Sequence, residues 1–258
     1  MSSYDLVRTI RSGEIFHSRR AVFGPFLVLH TVPWLFLAGA LRLNAKGLGG
    51  IAGLIVMVLV EYALVIAFLL ASHRLIQLAG GVVHLERLPF KEQFQLTRSV
   101  VWRVLALFFV AVLCGLALGL DKHDAATLWF GFDNIFFPWP GTYLPFLSAL
   151  TAVFVFVMVV EKGLGRPPTY RAAFREIAKR WQYLGLAGLM ITVMFYGFNI
   201  VQIYIPDLLQ PLYEALAAPF LRNAFFLSLV FFFSYLRLLI TVNILTMALR
   251  ASYRQNAA

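Results

Sequence analysis

Apolar residues along this chain come in long runs broken by short polar segments. They show neither the alternation of a half-buried strand nor the one-sided stripe of a soluble helix. A helix that crosses a bilayer needs ~20 mostly apolar residues. Six runs meet that length: Ala21–Leu43, Gly49–Ser72, Val100–Leu120, Tyr143–Val160, Tyr183–Ile205 and Ala224–Leu249. The pattern predicts an all-α, polytopic membrane protein with a six-span domain over 21–249, preceded by segment 1–20 and followed by tail 250–258.

The basic residues orient it. With the N-terminus inside, 17 Lys and Arg fall on inner segments and 4 (Arg42, Lys46, Lys122, Arg222) on outer ones, with Arg237 left within a span. Basic residues collect on the cytoplasmic side of membrane proteins, so both termini are expected in the cytoplasm. The paired Arg19 and Arg20 before the first run read as a topology anchor rather than as part of a cleaved signal.

Composition agrees. Of 258 residues, 61% are apolar and 13% charged, about half the charged share of a soluble domain. Disordered, collagen-like and disulfide-scaffold chains are excluded. The net charge of +10 would suggest nucleic acid in a soluble protein. Because it is sorted by loop, it reads here as topology and attraction to anionic headgroups, with no nucleic-acid partner. The lone Cys114 permits neither an intrachain disulfide nor a cysteine-based zinc site.

The inner segments carry amphipathic stretches. Between Pro168 and Trp181, the residues Tyr170, Phe174, Ile177 and Trp181 recur at helical spacing, with Arg171, Arg175, Lys179 and Arg180 as the basic positions. Phe90 and Phe94 repeat the theme before span three. Such helices lie in the headgroup layer, apolar face down. Arg74, Lys162 and Arg250 close spans two, four and six at intervals of 88 residues, which suggests three helical hairpins. The outer segment from Asp121 to Gly141 mixes aromatics with carboxylates and reads as a wet loop anchored by an aromatic belt.

Ionisable groups at membrane depth are costly and mark sites. His30, Glu61 and Arg237 fall ~14, 17 and 18 Å from the inner ends of their runs, counted at the helical rise. They are expected to form one intramembrane polar layer, with Glu61 and Arg237 as an ion pair. Tyr196, Asn199, Gln202 and Tyr204 add polarity to the outer half of span five, and hydroxyls on spans five and six are expected to bond between helices. His17, His73 and His84 fall on the inner side, expected to face headgroups. Only His30 is deep, which disfavours a bis-histidine haem. No phosphate-cradling glycine loop, dinucleotide fingerprint or catalytic triad can be assembled, so neither a cofactor nor a catalytic residue is assigned.

Two segments, Ala71–Leu78 with its His-Arg pair and the ending Met247–Arg254 with its Tyr-Arg pair, resemble stretches found in a broad group of uncharacterised six-helix bacterial inner-membrane proteins. The resemblance implies an inner-membrane location and the six-span layout, and supplies no catalytic residue. The expected function is that of an accessory or scaffold subunit, not an enzyme, packing against membrane partners or lipids. The alternative is a small-substrate transporter or channel using the His30, Glu61 and Arg237 layer.

Overall fold

The computed structural model describes residues 30–45, 50–79, 90–120, 145–163, 168–216 and 218–255. Among them every regular element is helical: α1 (Val32–Ala45), α2 (Gly50–Leu78), α3 (Phe90–Ala117), α4 (Pro145–Gly163), α5 (Tyr170–Lys179), α6 (Trp181–Ala215) and α7 (Pro219–Gln255). Five of these, α2, α3, α4, α6 and α7, are long and apolar enough to cross a membrane. The first predicted span begins outside the described residues. Its described helix, α1, has 14 residues and reaches only ~21 Å at 1.5 Å per residue.

Several elements run past their expected ends. The stretch around Phe90 and Phe94 is the first part of α3 itself, not a separate interfacial elbow. The fifth apolar run stops before Pro206, yet α6 continues through Pro206 and Pro211 to Ala215. A proline within a helix removes one backbone hydrogen bond. Both prolines lie beyond the strongly apolar stretch Trp181–Gln202, where water is nearer to the carbonyls they release. The end of α6 is then closed by Arg222 of α7, whose Nε donates to the Leu216 carbonyl at 2.7 Å.

The bundle is organised around α4. This helix is apolar on all sides, and every residue from Thr151 to Glu161 is buried. It touches α2, α3, α5, α6 and α7. A helix without a polar face needs either lipid or protein on every side; here it is protein. The C-terminal half of α2 joins it in the core, from Val60 through Ile76, whereas Ile51, Leu54, Ile55 and Leu59 at the other end are exposed. Consecutive helices α1 and α2 pack together through Leu35 and Ala38 of α1, and α6 packs with α7. Helices α3 and α4, the expected middle hairpin, also touch, but their largest neighbours are α2 and α6 respectively.

Helix α6 meets this core through Leu184, Ala187, Gly188, Ile191 and Phe195, which recur at offsets of 3, 4, 7 and 11 from Leu184, one face of a helix. Its other faces expose Leu186, Leu189, Met190 and Val193. Apolar side chains facing outward in such numbers fit a lipid surround. Inside such a surround, helices associate through close packing rather than through exclusion of water. Thr151, Thr192, Ser228 and Ser234 donate their hydroxyl protons to carbonyls four residues back in their own helices. Such bonds satisfy these hydroxyls within their own helices, while two of the groups expected to bond between helices, Asn199 and Gln202, do so with Arg237.

The α4–α6 contact gives two opposite predictions. A Cβ on Gly188 would lie 3.5 Å from Val153 Cγ2, an ordinary contact. Gly188→Ala should therefore stabilise by up to ~1 kcal/mol through helix propensity alone. Phe156→Ala empties a fully buried site and should destabilise by about 3 kcal/mol or more. Thermal melts in one detergent check both; a melting point lowered by Gly188→Ala would mean that α6 sits closer to α4 than described.

Candidate functional site

Two buried arginines mark two levels of one interface. The first lies where α5 meets α6. Thr169 caps α5, its Oγ1 accepting from the Ala172 N–H at 3.2 Å. Arg180 ends it, its own N–H reaching the carbonyls of Glu176 and Ile177, and α6 starts at the next residue. The Arg180 side chain is buried. Its Nη1 donates to Ser252 Oγ at 2.8 Å, its Nε to Glu176 Oε2 at 3.2 Å, and its guanidinium lies 3.7 Å from the Tyr253 ring centroid. One side chain thus fastens the α5–α6 turn to the C-terminal part of α7.

The second is Arg237 in the middle of α7, with 0% exposure and the largest fully buried side chain among the described residues. Its Nη1 donates to Asn199 Oδ1 at 3.4 Å and Gln202 Oε1 at 3.3 Å, both on α6. The guanidinium lies 4.7 Å from the Phe195 ring and 5.8 Å from Phe198. The hydrogen bonds are at the long end of the useful range, and Nε has no acceptor among the described residues. A buried guanidinium held by two neutral amides and two ring faces is incompletely compensated.

These contacts share one antiparallel register. Arg180 meets Ser252, Phe198 meets Phe233 edge to face at 6.2 Å, and Asn199 meets Arg237. Nineteen residues separate Arg180 from Asn199 along α6, a rise of ~28 Å against a hydrocarbon core ~30 Å thick. Arg237 therefore stands toward the end of the bundle opposite α5, past the middle.

The residues predicted from sequence divide accordingly. Glu61 is fully buried on α2, next to Tyr62, which stacks on Phe94 of α3 at 5.7 Å. The acceptors of Arg237 are on α6 and Glu61 is not one of them. Depth counted along two helices sets no azimuth: Arg237 falls one helical turn from Phe233, on the α6-facing stripe of α7. His30 is exposed just before α1. Arg171, Arg175 and Lys179 share the exposed face of α5, whereas Arg180 turns inward. The spacing could have shown this, since Arg180 follows Ala173 and Ile177 at intervals of four and three, the buried stripe. Tyr196 and Tyr204 are exposed, leaving Asn199 and Gln202 as the inward pair.

Helix α5 rests on the bundle as well as on its surroundings. Tyr170 donates its hydroxyl proton to the Arg103 carbonyl at 2.6 Å, and Phe154 of α4 stacks near Tyr170 and Phe174. Burial raises the Tyr170 pKa, partly offset by the Arg103 charge. Phe174 and Trp181 remain exposed.

Sequence reasoning missed a set of buried ionisable side chains at the C-terminal ends of α2, α4 and α7: His73, Glu161 and Arg250. His73 does not face headgroups. The 88-residue interval that relates Arg74 to Lys162 also relates His73 to Glu161 and was the available signal. His17, His84, the paired Arg19 and Arg20, and the loop Asp121–Gly141 lie outside the described residues. Among the described residues no group of three His, Cys, Asp or Glu gathers to hold a metal.

If Arg237 is held by α6, its energetic coupling should be there. Arg237→Met and Asn199→Leu should show a coupling of about 0.5–3 kcal/mol in a double-mutant cycle read by thermal stability. Arg237→Met combined with Glu61→Gln should instead add to within ~0.5 kcal/mol. Recovery of stability in the Glu61 pair would restore the ion-pair reading. Compared with known proteins, the chain matches no family model, no curated protein and no solved structure.

Proposed function

We propose that this protein is a non-enzymatic multi-pass membrane scaffold that acts through its outer surface, packing against membrane partners and lipids. The observation that carries the reading is the bundle centre. Its middle helix, α4, is sealed by apolar contacts from Thr151 to Glu161, apart from the terminal carboxylate. The surface carries broad apolar faces on α2, α3 and α6. On α5 the exposed Arg171, Arg175 and Lys179 stand beside exposed Phe174 and Trp181. That combination suits the boundary of an anionic leaflet, aromatic rings at the interface and cations at the phosphates.

In this reading the first span, Ala21–Leu43, completes six crossings in the bacterial inner membrane, with both termini and α5 cytoplasmic. One observation favours transport as the second reading: Arg237, Asn199 and Gln202 place a buried cation and two amides between α6 and α7. Purification in mild detergent followed by mass spectrometry should recover another membrane protein in stoichiometric amount. Proteoliposomes of the pure chain should leak protons no faster than empty vesicles. A proton flux abolished by Arg237→Gln, with no copurifying protein, would favour transport instead.

A further inference from the structure

Helix α5 is held on one side and open on the other. Ala173, Ile177 and Arg180 form its inward stripe against the bundle. Its two ends reach different spans. Tyr170 bonds to the Arg103 carbonyl of α3, and Arg180 bonds to Ser252 and covers the Tyr253 ring of α7. On the open side Arg171, Arg175 and Lys179 recur every four residues, all exposed. Glu176, the one carboxylate of α5, is taken by Arg180 at 3.2 Å. The open face therefore carries three cations and no anion.

The level of α5 identifies what meets that face. Helix α4 ends at Gly163, and the apolar stretch of α6 starts at Trp181. Helix α5 joins the two, so it lies at the edge of the hydrocarbon, where headgroup phosphates are. Phe174 and Trp181 are exposed beside the cations, and rings at that level suit a leaflet better than a soluble acidic partner.

With 10 residues, α5 is shorter than the ~12–15 at which isolated helices become even marginal in water. It needs a surface to hold it, and here two are on offer that do not compete. The bundle takes the inward stripe and an anionic leaflet takes the cationic face. Both require the same ordered helix, so either one removes part of the ordering cost of the other. Such coupling is reciprocal.

We propose that the Arg171, Arg175 and Lys179 face binds anionic phospholipid headgroups of its own leaflet, and that this binding tightens the Arg180 clamp on the end of α7. The proposal rests on the membrane reading above and adds a regulation to it: the anionic lipid content of the leaflet sets how firmly the α6–α7 interface is closed beside α5.

Hydrogen–deuterium exchange of the full chain tests both steps, in nanodiscs of phosphatidylcholine alone or mixed equally with phosphatidylglycerol. Phosphatidylglycerol should slow exchange in α5 and in α7 from Leu249 to Gln255 roughly tenfold, an ordinary strength for coupled sites. Added salt should remove the effect. Asp207–Ala215, at the far end of α6, should not respond. Arg171→Gln/Arg175→Gln/Lys179→Gln should abolish both responses and leave exchange in phosphatidylcholine unaltered, since all three side chains are exposed. Arg180→Lys keeps the charge and loses the fork, so α5 should still respond and the end of α7 should not. Ser252→Ala, which removes one acceptor of the clamp, should weaken the α7 response and decides the matter if Arg180→Lys does not fold. A wild type in which α5 slows and α7 does not overturns the coupling and leaves the leaflet surface standing. An α7 response undiminished in both clamp variants does the same. No response of α5 to phosphatidylglycerol overturns the leaflet surface, and the same slowing by a soluble acidic peptide in phosphatidylcholine discs reassigns the face to a protein partner. The scaffold reading is judged separately, by the copurification experiment.

Discussion

Removing a guanidinium from water costs several kcal/mol unless its donors find acceptors, and inside a bilayer those acceptors must come from the bundle or its lipids. Arg180 and Arg237 impose that demand at two levels of the α6–α7 interface. Arg180 meets it with Glu176, Ser252 and the face of Tyr253. Arg237 meets it incompletely, through two long bonds to amides and the faces of Phe195 and Phe198. A slip of either helix by one turn would move both cations away from their partners. The two arginines therefore act as register pins, a role that buried polar groups play best where apolar packing alone permits sliding.

Around that interface the apolar packing is less discriminating. The inward residues of α6 are spaced like those of any buried helical face, and α4 is apolar on every side. Such surfaces supply dispersion contacts and density. They specify register weakly, because a Leu or Val can exchange neighbours at small cost. Directionality comes from the polar contacts, so the least hydrophobic side chains of the bundle hold its most hydrophobic ones in place. Helix α5 extends the same arrangement, since its last turn, its junction with α6 and the end of α7 meet at Arg180.

Much of this was legible in the sequence because the bilayer requirement is one-dimensional. Counting apolar residues located the five long helices to within a few positions, with larger errors where amphipathic or proline-containing turns extend them. Counting along a helix also gave an approximate depth for Glu61 and Arg237. It did not give azimuth or neighbours, which depend on how helices pack. Arg237 consequently bonds across to Asn199 and Gln202, two residues the sequence marked only as polar positions on span five. Charge alone groups Arg180 with the exposed Arg171, Arg175 and Lys179, whereas its place on the helical wheel, in line with Ala173 and Ile177, turns it inward. A polar group near a helix end is usually solvated, which is why the sequence places His73 at the headgroups and leaves Glu161 unmarked; only the surrounding bundle shows these two to be enclosed.

The α6–α7 register is most directly tested by short-range thiol cross-linking in native membranes, in a Cys114→Ser background that removes the single native thiol. Phe198 and Phe233 have ring centroids 6.2 Å apart, so Phe198→Cys/Phe233→Cys should be joined efficiently by a short bifunctional reagent. Phe198→Cys/Thr246→Cys, displaced along α7 by ~20 Å at the helical rise, should not. Cross-linking of the second pair in place of the first would contradict the register on which both arginine contacts depend.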